Sequence, residues 1–133
     1  MDIAGDDSVS IQDQTDGLSI ESLTSSMQST SFLVRNALKS QCYDQITTVL
    51  AGAGKMAGRH EYDGAVKMCK EVDTIAKTIC ECAHENGYTV VMVSTHSECG
   101  YVTKDDKEKS KCFDVPCFIL PVEGKTYERQ ECK

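Results

Sequence analysis

The chain predicts an α/β protein with a small, mainly parallel sheet and crossover helices. Three observations predict it: a long amphipathic pattern from about Tyr62 to Glu85, apolar strand-like runs before and after it, and a strand end at Ser94-Thr95-His96. Strand, helix and strand in that order form the crossover unit of parallel sheets, with right-handed connections. In such sheets ligands bind just beyond the carboxyl ends of strands, which makes His96 a first candidate for chemistry.

Taken in order, residues 1–25 are rich in Asp, Ser, Gln and Thr and show no sustained period, so they are expected to form an acidic, disordered tail. A first helix is expected from about Ser29 to Lys39, with Phe32, Leu33, Ala37 and Leu38 as its apolar face and Lys39 suiting its C-terminal end. Ile46-Thr47-Thr48-Val49-Leu50 is a β-branched run that predicts a strand.

Residues 51–58 are glycine-rich and expected to be a loop permitting tight turns. They fail as a phosphate loop: Met56 follows Gly54-Lys55 where Ser or Thr is needed, and Val49 stands where the first glycine must be. The next helix is the best-supported element. Ala65, Val66, Met68, Cys69, Val72, Ile75, Ala76, Ile79, Cys80 and Ala83 recur at three- and four-residue steps, and Asn86-Gly87 supplies the stop. Tyr88 to Val93 is a nearly continuous apolar run, the pattern of a strand covered on both faces. Val115 to Leu120 predicts a further strand, with Pro116 admissible at its beginning. Residues 26–124 thus read as one α/β module, followed by a C-terminal tail at 125–133.

Charge excludes some function classes. The net charge is −7, yet six of the 21 acids and none of the 14 bases lie in residues 1–34, so the remainder is close to neutral. A nucleic-acid footprint needs a clustered basic face, and the lysines between Lys104 and Lys111 are broken up by Asp105, Asp106 and Glu108. No apolar run is long enough to span a membrane. The acidic N-terminus does not suit a leader peptide, so the eight cysteines are expected to be reduced thiols in a cytoplasmic protein.

From about Met27 to Gly124 the chain resembles the C-terminal part of cofactor-independent phosphoglycerate mutase, a member of the alkaline phosphatase superfamily. Tyr62-Asp63-Gly64-Ala65-Val66-Lys67-Met68-Cys69-Lys70-Glu71-Val72-Asp73 is close to that family's Tyr-Glu-Ala-Thr-Val-Lys-Ala-Cys-Glu-Ala-Val-Asp helix. Lys55-Met56-Ala57-Gly58-Arg59 echoes its Asp-Met-Val-Gly-His loop. Thr95-His96 meets its strand-ending Asp-His, and Asp114-Val115-Pro116-Cys117-Phe118-Ile119 its Pro-Val-Pro-Phe-Ile. The helix is the most specific part. The resemblance implies a fragment of an alkaline-phosphatase-like fold and, in an intact family member, an isomerase of glycolysis. Such an enzyme moves phosphate between the hydroxyls of glycerate through a phosphoserine and two divalent metals, usually manganese and sometimes magnesium.

Carried over residue by residue, the implied metal ligands are mostly replaced. The loop Asp falls on Lys55 and its His on Arg59, the strand-end Asp falls on Thr95, and the last His falls near Ser110. His96 is retained, and His60 is the residue that replaces Arg59 if the loop shifts; these two are the candidate ligands that remain. No catalytic residue is assigned, since the family's nucleophilic serine belongs to a half with no counterpart here. The expectation is a truncated pseudoenzyme needing no cofactor, which binds a partner chain or a second copy at its sheet edge.

Two alternatives stand beside it. One is an active metal-dependent mutase or phosphatase using His96, with manganese or magnesium as cofactor and 3-phosphoglycerate as substrate. The other is a zinc-binding interaction module built from His96, Cys99, Cys112 and Cys117, or from Cys80, Cys82 and His84, although neither set has the paired C-x₂-C spacing.

Overall fold

The computed structural model describes residues 7–12, 19–94 and 116–122. Its elements are β1 (Ser8–Gln12), α1 (Ile20–Ser40), β2 (Gln45–Val49), α2 (Gly52–Ala57), α3 (Tyr62–Glu85), β3 (Val90–Val93) and β4 (Cys117–Leu120). Helix accounts for 57% of these residues and strand for 20%, and the strands form two separate two-stranded sheets. This overturns the expected small, mainly parallel sheet of an alkaline-phosphatase-like fold. The strand pairs with parallel character are β1 and β2, joined by α1 as a crossover, whereas β3 and β4 are antiparallel.

The reason lies in a strand inside the segment expected to be a tail. Ser8-Val9-Ser10-Ile11-Gln12 alternates polar and apolar residues, and its burial alternates in the same way. It pairs with β2 from Ser8 opposite Gln45 to Gln12 opposite Val49, and the Asp44 amide donates to the Asp7 carbonyl at 3.0 Å just before the ladder. Their outer faces carry Ser8, Ser10, Gln12, Gln45, Thr47 and Val49. That face is mostly polar and suits water, as expected of a sheet with one solvated side.

Helix α1 begins nine residues before the expected Ser29. Ser19 caps it, its hydroxyl accepting from the Ser22 amide at 3.1 Å. Leu23, Met27, Thr30, Ser31, Val34 and Leu38 form the buried stripe. Phe32 and Leu33, expected on the apolar face, are instead 57% and 52% exposed, because the line through Met27, Val34 and Leu38 places them a quarter turn or more away. Helix α3 has the expected bounds. It ends at Asn86, whose side-chain amide donates to the Cys82 carbonyl at 2.7 Å, and Gly87 follows at φ 79°.

Two apolar clusters hold these elements together. Leu23, Met27, Met56, Ala57, Ala65, Met68 and Ile75 join α1, α2 and α3. Val34, Leu38, Cys82 and Ala83 form the second, flanked by Ile11, Ile46 and Val90 from the strands and by Tyr88 just before β3. Ile79 packs against both. The Tyr88 hydroxyl donates to the Tyr43 carbonyl at 2.6 Å, tying the chain after α3 to the chain before β2.

Residues 51–58, expected to be a loop, contain helix α2. Gly52 serves close packing more than turning: a Cβ on it would stand 2.8 Å from the Met27 sulfur and 3.2 Å from that of Met68.

Candidate functional site

The segment after β2 holds the described positions that the sequence marks for chemistry. Strand β2 ends at Val49, Leu50 packs against the helical core, and α2 starts two residues later. Lys55 lies in the last turn of α2, half-buried, and Arg59 follows one turn on, also half-buried. The turn between is built from backbone bonds, with the Gly58 amide donating to the Gly54 carbonyl at 2.9 Å and the Arg59 amide to the Met56 carbonyl at 3.2 Å. His60 comes next at φ 58°, its amide donating to the Ala57 carbonyl at 2.9 Å and its ring exposed. Two cations and an imidazole thus occupy one short stretch. Among the described residues, no three His, Cys, Asp or Glu side chains stand close enough to hold a metal ion.

The remaining expected positions, Thr95, His96 and Ser110, lie outside the described residues, as do Cys99 and Cys112. Of the second cysteine set, Cys80 is half-buried, Cys82 is buried and His84 is exposed. The Cys82 sulfur lies 3.9 Å from the Arg35 carbonyl and 3.7 Å from the Asn86 amide nitrogen, so it is engaged within the core. Burial pushes the Cys80 thiol above its ordinary range, and the charge of Glu81 adds to the shift. It therefore stays protonated near neutral pH and is a poor nucleophile. Cys69, expected on the buried stripe, is exposed.

Near the end of β2, the Thr48 hydroxyl is buried and has no hydrogen-bond partner. An unsatisfied buried hydroxyl costs free energy that an isosteric methyl does not. Thr48→Val is expected to stabilise the fold by about 1 kcal/mol, read as a higher urea midpoint at unchanged slope.

An open groove of about 530 Å³ runs between α3 and the β3–β4 ribbon. Val72, Ala76, Cys80, Met92 and Leu120 supply apolar lining, and Asp73, Lys77 and Glu81 stand along it. The ribbon itself departs from expectation. Tyr88 to Val93 reads as a strand covered on both faces, yet Val91 is 61% exposed and Val93 55%, with Phe118 at 55% and Ile119 at 49%. An apolar run with no alternation suggests a doubly covered strand, yet exposed side chains stand on both faces of this ribbon, Val91 and Ile119 on one and Phe118 on the other.

Compared with protein-family models, characterised proteins and solved structures, the chain matches none. None of the helices described is long and apolar enough to cross a membrane.

Proposed function

We propose that the chain is a catalytically inactive relative of cofactor-independent phosphoglycerate mutase, acting in the cytoplasm as a small binding module. The observation that carries the proposal is the pair Lys55 and Arg59. The resemblance assigns an Asp and a His ligand to these positions, and here they sit one turn apart at the end of α2. An ammonium about 4 Å from a divalent cation repels it by about 8 kcal/mol at an effective dielectric of about 20. Swinging Lys55 outward relieves the repulsion and still supplies no ligand. The match of residues 62–73 to the family's helix supports the kinship, and replacement of the anionic donors argues against retained phosphoryl transfer.

Thermal unfolding with and without manganese and 3-phosphoglycerate tests this. A ligand at 100 times its Kd stabilises the folded state by about 2.7 kcal/mol, which is readily seen as a higher midpoint. The expected result is an unchanged midpoint. A rise that disappears in His96→Ala would refute the proposal and favour the active metal-dependent enzyme.

A further inference from the structure

We propose that Asn86-Gly87, the C-terminal stop of α3, is a site of spontaneous deamidation that the fold holds closed, and that its conversion loosens the junction between the ends of α1 and α3. The inference is independent of kinship with the mutase and of metal binding.

The chemistry belongs to the pair of residues. The Gly87 main-chain nitrogen attacks Cγ of Asn86, the new N–Cγ bond closes a five-membered imide, and the Cγ–Nδ2 bond breaks. Ammonia leaves, carrying Nδ2 and the proton that Gly87 gives up. Water then opens the ring at either carbonyl and returns a proton to the Gly87 nitrogen. The product is aspartate, or isoaspartate where the main-chain carbonyl is the one attacked. Glycine favours the closure because no side chain crowds the attacking nitrogen or restricts the backbone. The chain has one other asparagine, Asn36, which precedes Ala37 within α1.

The helix stop requires both residues. Gly87 has φ 79°, and a Cβ there would meet nothing within 4 Å, so backbone conformation and not crowding calls for glycine. Asn86 closes the last turn, its Nδ2 donating to the Cys82 carbonyl at 2.7 Å. A well-made cap therefore sets the two reacting residues side by side.

The same bonds keep them from reacting. The Gly87 N–H donates to the His84 carbonyl at 3.1 Å, which engages the proton that the attacking nitrogen must lose. Gln41, the C-cap of α1, donates from Nε2 to the Asn86 carbonyl at 3.3 Å. Beyond the pair, the Tyr88 amide donates to the Ala83 carbonyl at 2.9 Å and its hydroxyl to the Tyr43 carbonyl at 2.6 Å. Ring closure requires the Asn86 side chain to leave Cys82 and the Gly87 amide to leave His84, which is a local opening of the helix end. Gly87 is exposed and Asn86 half-buried, so water for the second step is at hand.

The product fits the junction less well. A carboxylate cannot donate to the Cys82 carbonyl, and its charge stands at the negative end of the α3 dipole. Isoaspartate also adds a methylene to the main chain between the Cys82 and Tyr88 attachments. Cys82 and Ala83 belong to the second apolar cluster, so the disturbance reaches the core.

Incubation of the full chain near neutral pH under reducing conditions, folded in buffer and unfolded in guanidinium chloride, tests this. Peptide mass mapping follows the exchange of amide for acid at Asn86 and Asn36. Asn86 is expected to convert ahead of Asn36, and about tenfold or more slowly in the folded protein than in the unfolded one. Tyr88→Phe, which removes the bond to Tyr43, is expected to speed conversion about fivefold in the folded protein and to leave the unfolded rate unchanged. Asn86→Asp, one of the two products, is expected to lower the urea midpoint at unchanged slope. Equal folded and unfolded rates, or a folded rate unmoved by Tyr88→Phe, would overturn the closure by the fold. Earlier conversion at Asn36 would overturn the site, and an unchanged midpoint in Asn86→Asp would overturn the loosening of the junction.

Discussion

Met68→Ala is expected to destabilise the protein by about 2–5 kcal/mol, the range for truncating a fully buried methionine when the surroundings collapse incompletely. Met68 is fully buried, and its cluster joins Leu23 and Met27 of α1, Met56 and Ala57 of α2, and Ala65 and Ile75 of α3. Helix α2 is only six residues long and has no side-chain bond at its N-cap, so it draws on this packing. A loss at the upper end of the range approaches the whole stability of a small domain. Urea unfolding followed by circular dichroism measures it. A loss under about 1 kcal/mol would mean that α2 does not pack where it is placed.

Gly52→Val probes the same junction by adding atoms, and is expected to cost about 1–3 kcal/mol. The added Cβ would lie 2.8 Å from the sulfur of Met27 and 2.9 Å from its terminal methyl. Both Met27 and Met68 are fully buried, so little empty space is available for either to retreat into. The mechanism predicts coupling. Met27→Ala removes the obstructing atoms, so the double variant Met27→Ala/Gly52→Val should cost less than the two single losses together, by about 0.5–3 kcal/mol. Strict additivity would show that the glycine is not there to admit the methionine.

These residues also mark where reading the sequence succeeds and where it stops. Helix α3 was legible because one stripe repeats over 24 residues, long enough for periodicity to outweigh single misfits such as Cys69 and Val66, both of which are exposed. Strand β2 was legible from its β-branched run. Helix α2 was hidden by its glycines, since Gly52 and Gly54 read as turn formers unless one knows that Met27 and Met68 press against the first of them. Strand β1 had a visible alternation at Val9 and Ile11, obscured by the acidic, low-hydrophobicity residues around it. Of the candidate site, the proximity of Lys55, Arg59 and His60 is a matter of chain adjacency and was legible. The exposure of the β3–β4 ribbon was not, because a continuous apolar run does not say whether its sides find a neighbour.

By itself the sequence determined the local elements whose period is long, the uneven placement of charge, and the adjacency of Lys55, Arg59 and His60. Only the tertiary structure decided strand pairing, the helical character of residues 52–57 and the exposure of Val91 and Ile119. The division has a physical cause. Helix periodicity and charge are carried by near neighbours along the chain, whereas pairing and burial depend on residues tens of positions apart, such as β1 against β2 or Met27 against Gly52.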